Sequence, residues 1–169
     1  MTNVYDYVFK IVFVGDLGVG KTSILKKYFE NKFNIDIKST IGVDFFRDSD
    51  DGKKICYHYW DTSGNENYRN ISECYYKEAD VIVIVIVYDV TNAKSFNSII
   101  YWLENLRENN PSIFIVGNKI ESKNRKITES SGINVAKKYE CFFIEVSAKS
   151  GDNIEELFEK IKNVLFKPK

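Results

Sequence analysis

A glycine-rich segment that ends in a lysine and a threonine constrains this 169-residue chain more than any other feature. Gly15 to Thr22 reads Gly-Asp-Leu-Gly-Val-Gly-Lys-Thr, between a strand-like run (Tyr7 to Val14) and a helical pattern that continues to about Asn31. Glycines at this spacing let backbone N–H groups curl around phosphate oxygens at the positive end of a helix. The segment therefore predicts a phosphate-binding loop in which Lys21 contacts the β- and γ-phosphates and Thr22 binds Mg²⁺.

Apolar strand-like runs and amphipathic helical patterns alternate along the rest of the chain. The remaining predicted strands are 43–47, 54–60, 81–88, 113–116 and 142–146. The remaining predicted helices lie at 96–106, 128–139 and 154–165. Asp50-Asp51-Gly52 predicts a hairpin turn, and Asn153 is the expected N-cap of the last helix. The alternation predicts an α/β fold of three layers, in which a six-stranded, mostly parallel sheet carries about five helices on its two faces.

Composition excludes several classes of function. Lysine plus arginine equals aspartate plus glutamate at 24 each, so charge gives no reason to expect nucleic acid as the main partner. Cys56, Cys74 and Cys141 show no CxxC or CxxxxC spacing, so we expect no structural zinc site and reduced thiols in a cytosolic setting. His58 is the single histidine, so no histidine-based dyad can form. We expect no signal sequence, since the N-terminus lacks a basic stretch followed by an apolar one. We expect no membrane span, since the longest apolar run, 81–88, is too short to cross a bilayer.

A second Mg²⁺-binding side chain is expected where the strand 54–60 ends. The sequence there reads Trp60-Asp61-Thr62-Ser63-Gly64. Asp61 could hold Mg²⁺ through water, because this ion tends to keep several of its waters. Gly64 could then offer its backbone N–H to a γ-phosphate.

Two segments after later strands predict a guanine site. Asn118, Lys119 and Glu121 follow the strand 113–116, at the sheet edge where open α/β sheets bind ligands. The carboxylate of Glu121 can accept hydrogen bonds from N1–H and the 2-amino group of guanine, and adenine has neither donor in that arrangement. Residues 147–149, Ser-Ala-Lys, form a second base-contacting loop after the last strand.

Nearly the whole chain resembles the Ras superfamily of small GTPases, and most closely its Rab branch. The segments that carry the resemblance occur in the family's order: Gly15–Thr22, Ser39–Phe45, Trp60–Gly64, Tyr75–Lys77, Val87–Thr91, Gly117–Lys119 and Ser147–Lys149. The resemblance implies a single G domain of the P-loop NTPase fold across residues 1–169. It also implies GTP or GDP as the ligand and Mg²⁺ as the cofactor.

The resemblance further implies roles for individual residues. Thr40 is expected to join Mg²⁺ and the γ-phosphate in switch I (35–45), and Phe33 to pack against guanine. Switch II is expected at 64–76. The implied Mg²⁺ ligands are Thr22, Thr40 and Asp61. The implied catalytic residues are Lys21, Thr40, Gly64 and Asn65. The implied nucleotide-binding residues are Gly15, Asp16, Leu17, Gly18, Val19, Gly20, Lys21, Thr22, Ser23, Phe33, Thr40, Asp61, Gly64, Asn118, Lys119, Glu121, Ser147, Ala148 and Lys149.

Three residues depart from the family pattern. Asn65 replaces the switch II glutamine that positions the attacking water, and its shorter side chain predicts slow intrinsic hydrolysis. Leu17 stands where a small residue is usual and is expected to crowd the γ-phosphate. Glu121 replaces an aspartate, so we expect guanine selectivity to survive with some loss of affinity.

Two segments also differ in length from typical Rabs. The hairpin at 48–52 is about two residues shorter, and the run 81–88 is about two residues longer. We therefore expect a bulge or a displaced strand start near Asp80, with the fold kept.

The expected function is a GTP/GDP switch in intracellular vesicle traffic, with a GTP-loaded binding scaffold of little turnover as the alternative. Expected partners are effectors, an exchange factor and an activating protein that contact the switches, and the chain itself is expected to be monomeric. Phe45, Trp60 and Tyr76 resemble the aromatic trio that Rab effectors read, with simple core packing as the other interpretation. Rabs usually end in a prenylated tail, and no cysteine lies near Lys169, so membrane attachment would need a tail beyond this sequence. Such a protein would be cytoplasmic and cycle on an endomembrane. The alternative is a protein that works without a lipid anchor.

Overall fold

A computed structural model of the chain describes residues 5–65, 82–106 and 110–166. The strands are β1 Tyr7–Val14, β2 Val43–Asp50, β3 Ile55–Thr62, β4 Ile82–Asp89, β5 Ser112–Asn118 and β6 Phe142–Glu145. The helices in the described ranges are α1 Lys21–Glu30, α2 Ala93–Asn105, α3 Glu129–Lys138 and α4 Ile154–Leu165. The strands form one six-stranded sheet in the order β2-β3-β1-β4-β5-β6. β2 runs antiparallel to β3 and the other neighbours pair in parallel, which confirms the predicted α/β fold.

The sheet separates two hydrophobic cores. Ile24 of α1 and Phe158 of α4 pack on one face, with Tyr59 of β3. Trp102 of α2 packs on the other face, with Ile84 of β4. Because the central strands are covered on both faces, they read as continuous apolar runs without polar alternation.

The outer hairpin is longer than its apolar pattern suggested. β2 continues to Asp50, three residues past the predicted end at Arg47, because Asp48, Ser49 and Asp50 remain paired with β3. Polar residues are tolerated there because β2 is the edge strand of the sheet. The turn follows at 51–54 and is closed by a hydrogen bond from Lys53 N to Asp50 O (3.2 Å).

Asn153 precedes α4 as predicted, but its side chain does not cap the helix. Its backbone is left-handed (φ 59°), and its Nδ2 donates to Glu145 O at 2.8 Å. Asn153 therefore ties α4 to the end of β6. The bulge expected near Asp80 lies outside the described residues, and β4 pairs with β1 in unbroken register from Ile82 to Ile86.

Five parallel strands end at one edge of the sheet, and this edge positions the loops described next. β1 leads into the glycine-rich loop, β3 into Ser63 and Gly64, and β5 and β6 into the two predicted base-contacting segments. Among the helices of the described ranges, none has the length and apolar character needed to cross a membrane.

Candidate functional site

A cavity of about 390 Å³ opens at this edge of the sheet. The predicted site residues that line it are Leu17, Gly18, Gly20, Lys21, Thr22, Ser23, Phe33, Thr40, Gly64, Asn118, Lys119, Glu121, Ala148 and Lys149. Asn34, which was not predicted as a site residue, also lines it, and so do four residues of the predicted switch I, Ile35, Ile37, Lys38 and Ser39. Segments from the whole length of the sequence therefore meet around one space, as the motif order predicted.

The glycine-rich loop is held in a shape that only glycine allows at two positions. Gly15 has φ 140°, and a β-carbon there would overlap the carbonyl oxygen of Val87. Gly20 has φ 100°, and a β-carbon there would overlap the side-chain amide of Asn118. The loop thus passes close to β4 and β5, and α1 begins directly after it at Lys21.

Lys21 lies across this loop and is 6% exposed. Its Nζ donates to Gly15 O at 2.7 Å and to Asp16 O at 3.1 Å. Burial lowers the pKa of the Lys21 ammonium to about 8, and the charges of Asp61 and Asp16 act in the opposite direction. A buried ammonium held at the start of a helix is well suited to an anionic ligand.

Three side-chain oxygens converge beside Lys21. The hydroxyls of Thr22 and Thr40 lie 2.9 Å apart, and both donate to Oδ2 of Asp61, the latter at 3.4 Å. Asp61 is fully buried, and its Oδ1 has no hydrogen-bond partner within the described ranges. Burial raises the pKa of the Asp61 carboxyl, which the hydrogen bond from Thr22 opposes. A buried carboxylate with a free oxygen and two adjacent hydroxyls fits Mg²⁺, which prefers oxygen ligands.

The end of β3 is fixed against the glycine-rich loop. Thr62 Oγ1 donates to Phe13 O at 2.7 Å, and Ser63 N donates to Gly42 O at 2.9 Å. Gly64 then reaches the backbone of the loop, and Asn65 N donates to Ser63 Oγ at 3.2 Å. The backbone of Asn65 is therefore fixed beside the cavity.

The two predicted base-contacting segments are joined to the loop by one side chain. Asn118 Nδ2 donates to Val19 O at 2.9 Å, and its Oδ1 accepts a hydrogen bond from Ala148 N at 3.1 Å. Ser147 Oγ donates to Glu121 Oε2 at 2.6 Å, which fixes one oxygen of that carboxylate. Glu121, the longer replacement for the family's aspartate, is thus held by a hydrogen bond at the cavity wall.

Other predicted residues are placed as follows. Leu17 is 55% exposed at the cavity. Phe45 is 43% exposed, and its ring centroid lies 5.1 Å from that of Trp60. Tyr76 and Cys74 lie outside the described residues. Among the cysteines that the structure covers, Cys56 is buried and Cys141 half-buried.

Two residues that support the site were missed by sequence reasoning. Ser98 of α2 donates to Asp16 Oδ2 at 2.6 Å, and Asp89 at the end of β4 pairs with Lys119 at 2.6 Å. No local pattern marks Ser98, because its partner lies 82 residues away. Asp89 carried a usable signal, since it ends a buried strand at the same sheet edge as Asp61 and Asn118.

Comparison with known proteins agrees with this geometry. The family model described as Ras family matches residues 10–167. Ras-related protein Rab-8B of Homo sapiens is 43% identical over 164 residues, covering 94% of this chain and 78% of the relative. GTP-binding protein ypt3 of Schizosaccharomyces pombe is 41% identical over 169 residues, covering 96% of this chain and 78% of the relative. Ras-related protein SEC4 of Candida albicans is 37% identical over 167 residues, covering 95% and 79%. The chain therefore belongs to the Ras family of small GTPases, and within that family it is Rab-like.

Proposed function

We propose that this protein is a Mg²⁺-dependent GTP/GDP switch of intracellular vesicle traffic, working as a single G domain, with slow intrinsic GTP hydrolysis. The observation that carries the proposal is the meeting of Thr22, Thr40 and Asp61. These residues come from α1, from the segment before β2 and from β3. Because Thr40 lies in a connecting segment, its position can depend on what the site holds, and a switch requires that dependence.

Thr22, Thr40 and Asp61 are the residues that would hold Mg²⁺, and the ion would neutralise charge on the phosphates. Lys21 would contribute a second positive charge on the same side of the cavity. The backbone N–H groups of the loop, from Gly15 to Gly20, would bind phosphate oxygens with Ser23 following them. Gly64 would contribute its N–H where β3 reaches the loop.

Guanine selectivity is assigned to Glu121, whose carboxylate can accept from two donors that adenine lacks. Ser147 supports this assignment because its hydroxyl orients the carboxylate at 2.6 Å. Phe33, Lys119 and residues 148–149 line the same cavity and would surround the base. Each charge-assisted hydrogen bond to the base would contribute about 1.5–3 kcal/mol.

Slow hydrolysis is assigned to Leu17 and Asn65. The exposed Leu17 side chain stands at the cavity next to the point where Gly64 touches the loop. It can therefore occupy space that an attacking water or an activating protein's arginine would need. The same observation supports the second candidate, a scaffold that stays loaded with GTP and turns over little.

The trafficking role is supported by the Rab-like relatives and by an exposed aromatic pair. Phe45 and Trp60 are in ring contact on one side of the β2–β3 hairpin, and Phe45 remains open to a partner. We assign this surface to effector binding together with the switch segments. Attachment to a membrane would be through a prenylated tail that follows the G domain.

Competition with a fluorescent GDP analogue tests the nucleotide site. We expect GTP to displace the analogue at concentrations at least about 100-fold below those of ATP, because GTP can form two charge-assisted hydrogen bonds with Glu121 that ATP cannot. Glu121→Ala should erase most of that difference, whereas Glu155→Ala, on the exposed side of α4, should leave it unchanged. Equal displacement by ATP and GTP would refute the guanine assignment.

Single-turnover hydrolysis separates the switch from the scaffold. The reference is the Ras intrinsic rate of roughly 3–5 × 10⁻⁴ s⁻¹, and we expect a slower rate here. Strong acceleration by a Rab-type activating protein supports the switch, and its absence supports the scaffold. In cells, Thr22→Asn is expected to delay delivery of a secreted reporter, and normal delivery would contradict the role in traffic.

A further inference from the structure

The segment Val87 to Thr91 is one of those that carry the family resemblance. Its central acidic residue, Asp89, is 6% exposed and ends β4 at the edge where the nucleotide cavity opens. We propose that Asp89 is a positioning residue for guanine-nucleotide binding, and that it acts by fixing the side chain of Lys119. The proposal rests on the nucleotide site described above and adds a residue that determines how long the nucleotide stays bound.

The Asp89 carboxylate is fixed by its own strand end. Its Oδ1 accepts hydrogen bonds from Thr91 N at 2.8 Å and from Thr91 Oγ1 at 2.6 Å. The backbone N–H of Asp89 donates to Ser95 Oγ at 3.0 Å, in the first turn of α2. One carboxylate oxygen is thus occupied by local contacts, and the other, Oδ2, is presented to Lys119 at 2.6 Å.

Lys119 is held at both ends of its side chain. Its backbone is left-handed (φ 72°), and its Nζ donates to Gly18 O at 2.9 Å in addition to the ion pair with Asp89. Lys119 lines the cavity between these two fixed points. A lysine held in this way presents its methylene stem as a flat apolar surface, which suits the face of a base.

The pair also controls charge beside the cavity. Asp89 is nearly buried, so its carboxylate depends on Lys119 for compensation, and removing either partner of such a pair is costly. The side chain of Lys119 is 37% exposed, and its ammonium would lose its anchor without Asp89. A mobile Lys119 would no longer hold its stem along the base, and bound nucleotide would leave faster.

The alternative is that Asp89 only stabilises the turn between β4 and α2. Asp89→Asn separates the two, because asparagine keeps the shape and an acceptor oxygen for Thr91 but loses the charge that holds Lys119. We expect this variant to release a fluorescent GDP analogue roughly 10- to 100-fold faster than the unmodified protein, as for other charged hydrogen bonds. Thr91→Val, which keeps the carboxylate and loosens it, should release the analogue about 2- to 10-fold faster.

A double-mutant cycle supplies the decisive measurement. Lys119→Met keeps the stem and removes the ammonium, so adding Asp89→Asn to it should not accelerate release any further. Release at the unmodified rate in both Asp89→Asn and Thr91→Val would overturn the proposal. So would an acceleration by Asp89→Asn that is as large in the Lys119→Met background as in the unmodified protein. If Asp89→Asn does not fold, Thr91→Val in the two backgrounds gives the same test. Failure of the unmodified protein to bind the analogue would instead refute the nucleotide site itself.

Discussion

Gly64 lies directly against the backbone nitrogen of Leu17. A β-carbon on Gly64 would overlap that nitrogen and would lie 2.6 Å from the carbonyl oxygen of Asp16. The end of β3 and the phosphate loop therefore touch with no side chain between them. Ser63, one residue earlier, is tied to Gly42 near the start of β2 (2.9 Å), so the contact joins both proposed switch segments to the loop.

The first prediction concerns this contact. Gly64→Ala cannot keep the present backbone, so either the loop or the end of β3 must shift. A displacement near 1 Å at a reacting centre can cost about 100-fold, and we expect single-turnover GTP hydrolysis to fall by about that factor. Gly52→Ala is a matched control, because a β-carbon there would meet only Asp50 Oδ1, at 3.5 Å. An unchanged rate for Gly64→Ala would mean that the contact opens before hydrolysis.

The second prediction tests the two departures that lie closest to the chemistry. Asn65→Gln lengthens the amide by one methylene and should raise intrinsic hydrolysis by about 10- to 100-fold if reach limits the rate. Leu17→Ser should raise it further by clearing space at the cavity. Phosphate release after a single GTP turnover measures both variants and their combination. Asn65→Ala is the control, and a rate as high as that of Asn65→Gln would show that the amide does not position the water.

Much of this site could be predicted because its signals are local. The loop Gly15–Thr22 follows β1, Asp61 lies next to the last residue of β3, and Asn118 is the last residue of β5, so each is a short pattern at the end of an apolar strand. The topology of parallel strands brings such ends to one edge, so the cavity follows from their order. The buried strand β4 was found within one residue of its observed bounds for the same reason.

The remaining features depend on partners that are distant in sequence. Asn118 meets Val19 across 99 residues, and Ser98 meets Asp16 across 82. The polar end of β2 was missed because its pairing with β3, and not its own apolar pattern, extends the strand to Asp50. Asn153 had the composition of a helix cap, but the carbonyl of Glu145 offered its amide a better partner.

The third prediction concerns a partly buried ion pair next to the base-contacting loops. Arg125 donates to both carboxylate oxygens of Glu145, at 2.8 and 2.7 Å, and to Ile127 O at 3.0 Å. Arg125→Met leaves the Glu145 carboxylate, 8% exposed, without its counter-ion. We expect the free energy of unfolding to fall by about 2–3 kcal/mol, between the values for exposed and buried pairs.

Chemical denaturation at a fixed, saturating GDP concentration measures this change, since bound ligand adds to apparent stability. Arg125→Lys keeps the positive charge but cannot make both parallel hydrogen bonds to Glu145, so its free energy of unfolding should fall less than that of Arg125→Met. Arg125→Met combined with Glu145→Leu should recover much of the stability, because no unpaired charge remains. A loss for Arg125→Met no greater than that for Arg125→Lys would show that the ion pair contributes little.

The fourth prediction is a dependence of stability on pH that comes from the single histidine. His58 lies on β3 with its ring centroid 5.0 Å from that of Phe45, and Arg47 and Lys10 are the nearby charges. Burial lowers the pKa of His58 below its usual 6.5, and the two positive charges act in the same direction. The unfolded chain therefore binds more protons than the folded chain as the pH falls below about 6.5. The contribution of His58 to stability is complete above that pH and is lost below it.

Melting curves at pH 7.5 and 5.5 test this dependence. Between these two values the melting temperature should fall more for the unmodified protein than for His58→Gln, whose side chain does not titrate. Equal drops for the two proteins would mean that His58 titrates alike in the folded and unfolded chains, as it would if its ring were open to water beside Phe45.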